Sequence, residues 1–351
     1  MRIAQIAPLT ESVPPRTYGG TERVVSYLTE ELMAMGHDVT LFASGDSVTS
    51  AKLAAVWPCA LRFDKALHDA IAPQMLLMET VYQRADEFDV LHCHMDYMPF
   101  SLFSRQPTPF ITTLHGRLDL PELSRIYGCF EDVPLVSISD AQRRPMPKGN
   151  FIETVYHGLP PDLLTPRPME RDYLAFLGRI CPEKSPDRAI RIARASGMKL
   201  KIAAKVDRVD RAYFEETIRP LIDGDQIEMI GEIGDAEKPA FLSGAKALLL
   251  PIDWPEPFGL VMIEAMACGT PTIAFPAGSV PEVIDDGVTG FIVSDEAAAV
   301  AALAHLDRLS PTAIRARFEQ RFTARRMAED YVDLYRRLAI RSSRPALRVV
   351  T

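Results

Sequence analysis

The amino-acid sequence predicts an α/β fold built from two doubly wound, Rossmann-like domains. A chain of 351 residues exceeds the usual size of a single hydrophobic core. Short apolar runs alternate with helical patterns along most of its length, which is typical of parallel sheets. Between the two halves, residues 157–161 (HGLPP) form a stiff stretch of helix and strand breakers, where we place the domain crossing.

Composition and charge narrow the class of protein. The formal net charge of -8 argues against nucleic acid as a partner. Residues 1–157 are net acidic, so membrane association stays open but receives no support from charge. The five cysteines are scattered without metal-ligand pairing, and no apolar run approaches the length of a membrane span or a signal peptide. We therefore expect a reduced, cytoplasmic protein.

In the first half, apolar runs predict a parallel sheet with intervening helices. The expected strands cover 2–8, 38–43, 89–92, 110–114 and 133–139, and the expected helices cover 19–36 and 64–84, with a short helix from 139–140. Gly19 and Gly20 precede the first long helix and let the backbone approach a ligand closely, while Thr21 is expected to cap that helix. No G-x-G-x-x-G follows the first strand, which argues against a dehydrogenase.

Histidines follow two neighbouring strands of this half. His92 and His94 lie at the end of one strand and His115 lies after the next. Strand ends in such a sheet border the ligand crevice, so these side chains are candidate site residues. A zinc site is weakly supported because no cluster of carboxylates or cysteines accompanies them. Purely structural histidines are the other alternative.

The second half repeats the alternation of strands and helices. The expected strands cover 173–177, 200–204, 226–230 and 247–252, and the expected helices cover 211–222, 237–244, 258–267, 296–309, 312–321 and 324–340. Arg179 and Lys184 follow the first of these strands and are candidate cations for balancing the charge of a phosphate group. Two exposed basic residues in a loop are the alternative interpretation.

The stretch 246–293 carries the strongest signal for a ligand site. A buried strand leads through the loop 253–257 to a helix expected at Phe258–Ala267, whose first N–H groups and positive dipole end suit a phosphate. Glu256 and Glu264 are eight positions apart, about two helical turns, and both can face the same crevice. Their carboxylates would accept hydrogen bonds from sugar hydroxyls. Alternatively, Glu256 caps the helix and Glu264 is merely solvated.

The segment EPFGLVMIEAMACGTPTIA, followed by Gly278, Glu282 and GVTGFIV, closely resembles the signature of the retaining GT-B glycosyltransferases of family four, the glycosyl transferases group one. TTLHG and GRICPEK resemble further parts of that family. The resemblance implies a GT-B fold in which the two Rossmann-like domains face each other across a cleft. Residues 1–157, with a C-terminal helix at about 324–341 crossing back, would form the acceptor-side domain, and 158–323 the nucleotide-sugar-binding domain.

The same resemblance assigns roles to individual residues. It implies that Glu256 contacts the donor sugar and that Glu264 contacts the ribose. It also implies that His115 lies beside the donor sugar. Together with Arg179 and Lys184, Glu256 and His115 would be the catalytic set. The remaining donor-binding residues would be Gly19, Gly20, Gly231, Glu232, Ile233, Phe258, Gly259, Leu260 and Glu264. His157 stands where family members usually carry an asparagine.

The activity implied by the resemblance is retaining transfer of a hexose from a nucleotide-diphosphate sugar, with UDP-glucose as the first expectation and GDP-mannose as the second. The acceptor would be an unknown glycan, lipid or small molecule, with neither a bound metal nor a cofactor. A GT-B epimerase or phosphorylase, or a sugar-nucleotide-binding protein without turnover, are the alternatives.

Overall fold

The computed structural model describes residues 1–16 and 19–342, with side chains up to residue 340. The chain divides into two compact units. The first unit comprises Met1–Gly158 and the segment that begins at Ala324, and the second comprises Leu159–Thr323.

The first unit is built on a seven-stranded parallel sheet in the order β3-β2-β1-β4-β5-β6-β7. Its strands are β1 Arg2–Ile6, β2 Asp38–Ser44, β3 Lys52–Trp57, β4 Val90–Cys93, β5 Phe110–Thr113, β6 Leu135–Ser137 and β7 Phe151–Thr154. The order reverses between β1 and β4, which makes the carboxyl ends of these two strands a topological switch point. In such sheets a crevice for ligands opens at that place.

The helices of residues 1–158 lie on this sheet. They are α1 Gly20–Ala34, α2 Ile71–Gln83, α3 Phe100–Phe103, α4 Leu123–Cys129 and α5 Asp140–Arg143. The predicted Thr21 cap is wrong, because Gly19 occupies the cap position and Thr21 lies inside α1, which begins at Gly20. The predicted start of α2 is also wrong. Asp64 and Asp69 accept hydrogen bonds from the backbone N–H groups of Ala66 and Ile71, which favours turns over helix before Ile71.

The second unit carries a six-stranded parallel sheet in the order β10-β9-β8-β11-β12-β13. Its strands are β8 Tyr173–Arg179, β9 Lys199–Lys205, β10 Ile227–Gly231, β11 Ala245–Leu250, β12 Thr272–Ala274 and β13 Gly290–Ile292. Here the order reverses between β8 and β11. The two doubly wound parallel sheets confirm the predicted α/β fold class.

The helices of this unit and the last helix complete the structure. They are α6 Pro186–Ser196, α7 Arg211–Tyr213, α8 Lys238–Ser243, α9 Leu260–Ala267, α10 Val280–Val283, α11 Glu296–Leu303, α12 Pro311–Arg321 and α13 Ala324–Ser342. The single helix predicted at 211–222 is wrong: α7 gives way to the π-helical turn Phe214–Ile218 and the 3₁₀ turn Arg219–Leu221. Pro220 explains the break, since it lacks an N–H group and its ring clashes with the preceding turn.

The last helix, α13, belongs to the first unit. It packs against α1 and buries Met327, Tyr331 and Leu334, as its hydrophobic stripe predicts. Its tyrosines reach the carboxyl-end region of β4 and β5. Among the described residues, no helix combines the length and apolar character needed to cross a membrane.

Candidate functional site

The loop between β11 and α9 places Glu256 at the switch point of the second sheet. The carboxylate is only 7% exposed and is in contact with the Lys184 ammonium group. Trp254 Nε1 donates to Glu256 Oε2 over 3.1 Å, and the Lys184 nitrogen lies 5.0 Å from the centre of the Trp254 ring. The structure thus brings together two of the predicted residues, Lys184 and Glu256, in a nearly buried ion pair.

Glu264 lies inside α9 and forms a second pair of the same kind. Lys238 Nζ donates to Glu264 Oε1 over 2.6 Å, and both side chains are about nine-tenths buried, at 10% and 8% exposure. Lys238 also lies 3.2 Å from Asp235. Each predicted carboxylate therefore has a lysine that balances its charge, which is the usual condition for burying a carboxylate.

The start of α9 differs slightly from the sequence prediction. The helix begins at Leu260, two residues after the predicted Phe258, with Gly259 at the cap position in a left-handed conformation (φ 77°). Phe258 is buried and its ring packs edge-to-face on Phe322, so its side chain belongs to the core. Within the described residues, no side chain caps this helix start. Its first N–H groups and dipole remain suited to an anion.

Gly278 and Ser279 hold the loop that carries Glu256. Ser279 N donates to the backbone oxygen of Glu256 over 2.9 Å, and Ser279 Oγ donates to that of Phe258 over 2.7 Å. Gly278 has φ 58°, and a Cβ atom there would overlap the backbone nitrogen and oxygen of Glu256. Only glycine fits this close approach between two loops.

Arg179 and Lys205 occupy the ends of the neighbouring strands β8 and β9. The Arg179 guanidinium lies 3.8 Å from Asp207 and 3.5 Å from Asp210, and Lys205 lies 2.9 Å from Asp207. The structure therefore directs Arg179 towards two carboxylates after β9, whereas Lys184 contacts Glu256. Of the residues predicted to hold the base, Gly231 is left-handed (φ 84°), Glu232 is exposed and Ile233 is half-buried.

In the first unit, the three histidines predicted at strand ends join one hydrogen-bonded cluster. His94 Nδ1 is 2.8 Å from His115 Nε2, and His94 Nε2 is 2.9 Å from Gln5 Oε1. His92 Nδ1 lies 2.6 Å from the Tyr335 hydroxyl and His92 Nε2 lies 2.7 Å from Thr113 Oγ1. Thr113 Oγ1 in turn forms a hydrogen bond with the Tyr331 hydroxyl over 2.9 Å.

Burial keeps this cluster uncharged. Loss of hydration lowers the pKa of His92 and of His94 well below the usual value, and it lowers the pKa of His115 to about 3. The pKa of His157, whose ring stacks on His115 with centroids 5.2 Å apart, is lowered by burial in the same way. These rings are therefore neutral at pH 7. Among the described residues, no group of three or more His, Cys, Asp and Glu side chains is arranged to hold a metal ion.

The backbone on both sides of His115 is held by Gln142 in α5. Gln142 Nε2 donates to the carbonyl oxygens of Leu114 and Gly116, each over 2.8 Å, and its Oε1 accepts from Ile138 N. The short helix predicted from 139–140 is α5, and Ser139 caps it by accepting from Gln142 N. This small helix therefore fixes the position of the His115 loop.

Gly19 and Gly20 form the entry to α1 beside a pair of buried carboxylates. A Cβ atom on Gly19 would lie 2.8 Å from Pro15 and 3.1 Å from Glu22 Oε2, so this turn needs a residue without a side chain. Burial raises the pKa of Glu22, and nearby Glu11 raises it further. Arg62 lies 2.7 Å from Glu11.

Sequence reasoning missed four residues that complete these sites, namely Gln5, Gln142, Lys238 and Trp254. Lys238 and Gln5 are distant in sequence from their partners Glu264 and His94, so no local spacing pointed to them. Two observations in the sequence could have found Gln5 and Trp254: a glutamine inside an otherwise apolar strand, and an aromatic residue beside Glu256.

Two family models match the chain in succession. The model described as Glycosyltransferase Family 4 matches residues 18–183, and the model described as Glycosyl transferases group 1 matches residues 165–321. A phosphatidyl-myo-inositol mannosyltransferase from Mycobacterium leprae is 27% identical over 341 residues, which cover 88% of this chain and 88% of the relative.

Solved structures resemble the whole chain. A sucrose-phosphate synthase from Thermosynechococcus elongatus superposes with a TM-score of 0.80 at 20% identity, covering 97% of this chain and 99% of that one. The Anabaena protein HepE, in complex with UDP-glucose, superposes with a TM-score of 0.73 at 16% identity, covering 96% of this chain and all (100%) of that one. At these identities the likeness establishes the fold, which is that of GT-B glycosyltransferases.

Proposed function

Because the chain belongs to the group 1, family-four-like glycosyltransferases and is an enzyme of that class, we propose that it moves a hexose from a nucleotide-diphosphate sugar to a hydroxyl group with retention of configuration. The observation that carries the proposal is the pair of buried carboxylates flanking the start of α9, each balanced by a lysine. Such paired acids suit the recognition of sugar hydroxyls beside a diphosphate.

In the proposed reaction the bond between the anomeric carbon and the terminal phosphate oxygen breaks. A bond from the anomeric carbon to the acceptor oxygen forms on the same face, and the proton of the acceptor hydroxyl passes to the departing phosphate oxygen. Negative charge grows on the diphosphate as the first bond breaks. The amides of Gly259 and Leu260 and the dipole of α9 are suited to stabilise that charge.

Glu256 has the role of gripping the donor sugar in this proposal. Its Oε2 already accepts from Trp254 and contacts Lys184, so its other oxygen is the acceptor for a hydroxyl. Lys184 would hold Glu256 in place and offset its repulsion towards the diphosphate. Glu264, about one turn inside α9, would accept from the ribose hydroxyls. Arg179 would add positive charge beside the diphosphate, although Asp207 and Asp210 share that charge.

The donor is proposed to be UDP-glucose or GDP-mannose. The HepE structure, which contains UDP-glucose, supports the first, and the name of the mycobacterial mannosyltransferase supports the second. Thermal unfolding in the presence of each nucleotide sugar distinguishes them. A ligand at one hundred times its dissociation constant should stabilise the protein by about 2.7 kcal/mol.

Nucleotide release tests the reaction itself. We expect the preferred donor to yield free nucleoside diphosphate only when an acceptor is added, and the product to keep the anomeric configuration of the donor by NMR. Replacing Glu256 by Gln should lower kcat/KM by about 10²–10³. The matched control is Glu228→Gln, which alters an exposed carboxylate on β10 of the same unit. Isomerisation of the donor sugar without an acceptor, or full activity of Glu256→Gln, would contradict the proposal.

A further inference from the structure

The histidine cluster of the first unit has a definite direction of hydrogen bonding. Because the rings are neutral, each carries one proton, and one nitrogen donates while the other accepts. The Gln5 amide oxygen faces His94 Nε2 at 2.9 Å, so the His94 proton must lie on Nε2. His94 Nδ1 is then an acceptor, and the hydrogen bond of 2.8 Å requires His115 Nε2 to be the donor.

The other end of the cluster orients the Gln5 amide. Gln5 Nε2 donates to the Tyr335 hydroxyl over 3.1 Å and faces His92 Nδ1 at 3.4 Å. His92 Nδ1 therefore accepts, and His92 Nε2 donates to Thr113 Oγ1 over 2.7 Å. The helix α13, through Tyr335, thus supplies the partner of the amide nitrogen and joins this sequence of donors and acceptors.

The chain of hydrogen bonds ends at His115. With its proton on Nε2, His115 Nδ1 carries a lone pair, and this buried nitrogen has no hydrogen-bond partner among the described residues. A buried N–H group without a partner would cost about 1–3 kcal/mol, and the arrangement places an acceptor there instead. An acceptor nitrogen matches the hydroxyl groups of a sugar, which donate readily.

We infer that Gln5 and His94 are positioning residues that hold His115 as the Nε2–H tautomer, so that Nδ1 accepts a hydrogen bond from a substrate hydroxyl. The substrate part of this inference rests on the proposed function, whereas the tautomer does not. His94 and Gln5 are 3% and 0% exposed, and their polar atoms are occupied by hydrogen bonds within the cluster, so neither binds a substrate itself. Their effect on the reaction passes through the proton position of His115.

Nitrogen NMR of the protein labelled with ¹⁵N-histidine tests the tautomer directly. The seven histidines give a tractable spectrum, and His115→Gln assigns the signal of interest. We expect His115 in the unmodified protein to show a protonated Nε2 and an unprotonated Nδ1. A proton on Nδ1 would overturn the inference without any variant and without an activity measurement.

Two variants separate hydrogen bonding from packing around the same ring. His94→Phe keeps an aromatic ring but removes the acceptor of His115, so it should mix the two His115 tautomers. It should also raise the KM of the substrate whose hydroxyl bonds Nδ1 about three- to tenfold, with a smaller change in kcat. His157→Phe keeps the ring that stacks on His115 and should leave the His115 nitrogen signals in place. An unchanged tautomer in His94→Phe would overturn the inference.

A third variant checks that the effect does not arise from misfolding. Gln5→Glu keeps an oxygen towards His94 and should preserve the His115 tautomer, whereas Gln5→Met should disturb it. If both Gln5 variants fold and behave alike in the NMR spectrum, Gln5 has no positioning role. If the tautomers follow these expectations and nucleotide sugars are not turned over, the proposed function fails while the proton assignment stands.

Discussion

Gly278 allows the Glu256 loop to pack closely against its neighbouring loop. Gly278 combines a left-handed backbone with close contact to Glu256, whereas Gly287 has a similar conformation (φ 74°) with open space around it. The pair separates the cost of backbone conformation from the cost of a steric clash. Both positions lie in the second unit.

Gly278→Ala is expected to be far more destabilising than Gly287→Ala. The left-handed conformation costs about 1–2 kcal/mol for alanine at either position, and the overlap with Glu256 adds about 1–3 kcal/mol at Gly278 alone. Urea unfolding of both variants measures the difference. Equal losses of unfolding free energy would show that the loop moves aside without cost.

Lys238 illustrates a charge that the protein buries because it has a partner. Lys238→Met should lower the free energy of unfolding by about 3 kcal/mol, since it leaves the Glu264 carboxylate buried without its counterion. Adding Glu264→Leu should restore much of that loss. The control is Lys199→Met, which removes one member of an exposed pair 4.0 Å from Asp225 and should cost under about 0.5 kcal/mol. A double variant no more stable than Lys238→Met would refute this account of the pair.

At the scale of elements, α5 and the loop after β5 are joined through one side chain. Gln142→Glu has almost the same shape but replaces the donor of two hydrogen bonds with a carboxylate facing the Leu114 and Gly116 carbonyls. We expect a loss of about 2–3 kcal/mol in unfolding free energy. Gln83→Glu on the exposed face of α2 should change stability by less than about 0.5 kcal/mol. Urea denaturation compares the two variants. Similar small effects in both would show that Gln142 does not hold this loop in place.

The buried histidines on β4 and after β5 should make the first unit sensitive to acid. Their pKa values are lowered on folding, so below about pH 6.5 the unfolded chain binds protons that the folded chain does not. The free energy of unfolding is therefore at its full value above that pH. It decreases as the pH falls, by about 1.4 kcal/mol per histidine at pH 5.5. Glu22, whose pKa is raised, acts in the opposite sense at lower pH.

Urea unfolding between pH 7.5 and 5.5 measures this dependence. The free energy of unfolding should increase with pH. His157→Phe removes one buried histidine, so it should reduce the number of protons taken up on unfolding near pH 5.5 by about one. His305→Phe, at an exposed position in the second unit, is the matched control and should leave the slope unchanged. A flat profile in the unmodified protein would contradict the neutral cluster.

The elements that the sequence predicted well are those with strong apolar patterns. The strands β1, β9 and β11 and the helix α13 lie within a few residues of their predicted bounds because burial itself creates the pattern. The edge strand β3 was not predicted, since it is half-exposed and lacks such a run. Pro220 lies inside the helix predicted at 211–222, and it is the residue in that sequence that is incompatible with a continuous helix.

For the molecule as a whole, each unit contains one of the two tryptophans, Trp57 in the first and Trp254 in the second. Fluorescence of Trp57→Phe therefore reports the second unit and that of Trp254→Phe the first. We expect saturating nucleoside diphosphate to change the emission of Trp254, which bonds Glu256, and to raise the unfolding midpoint reported by Trp254. The midpoint reported by Trp57 should stay constant. Stabilisation reported only by Trp57 would indicate that the nucleotide binds the first unit, which would contradict this expectation.

The candidate site could be predicted from the sequence only where its residues share a motif. Glu256, Glu264 and Lys184 belong to compact segments with characteristic spacing, and the structure pairs each acid with a lysine. Lys238, Gln5 and Gln142 reach their partners through the fold, by way of strand order and helix placement, so their contributions required coordinates. The direction of the hydrogen bonds around His115 was likewise not readable from the sequence.

The first unit is assembled from two stretches of chain separated by an uninterrupted second unit. On the ribosome, residues 159–323 are complete before α13 emerges, whereas β1 and β4 must wait for Tyr331 and Tyr335. The portion synthesised first is therefore the last to acquire its native interior. Until α13 emerges, Gln5 and His92 lack their tyrosine partners, so we expect the core of the first unit to be completed only near the end of translation.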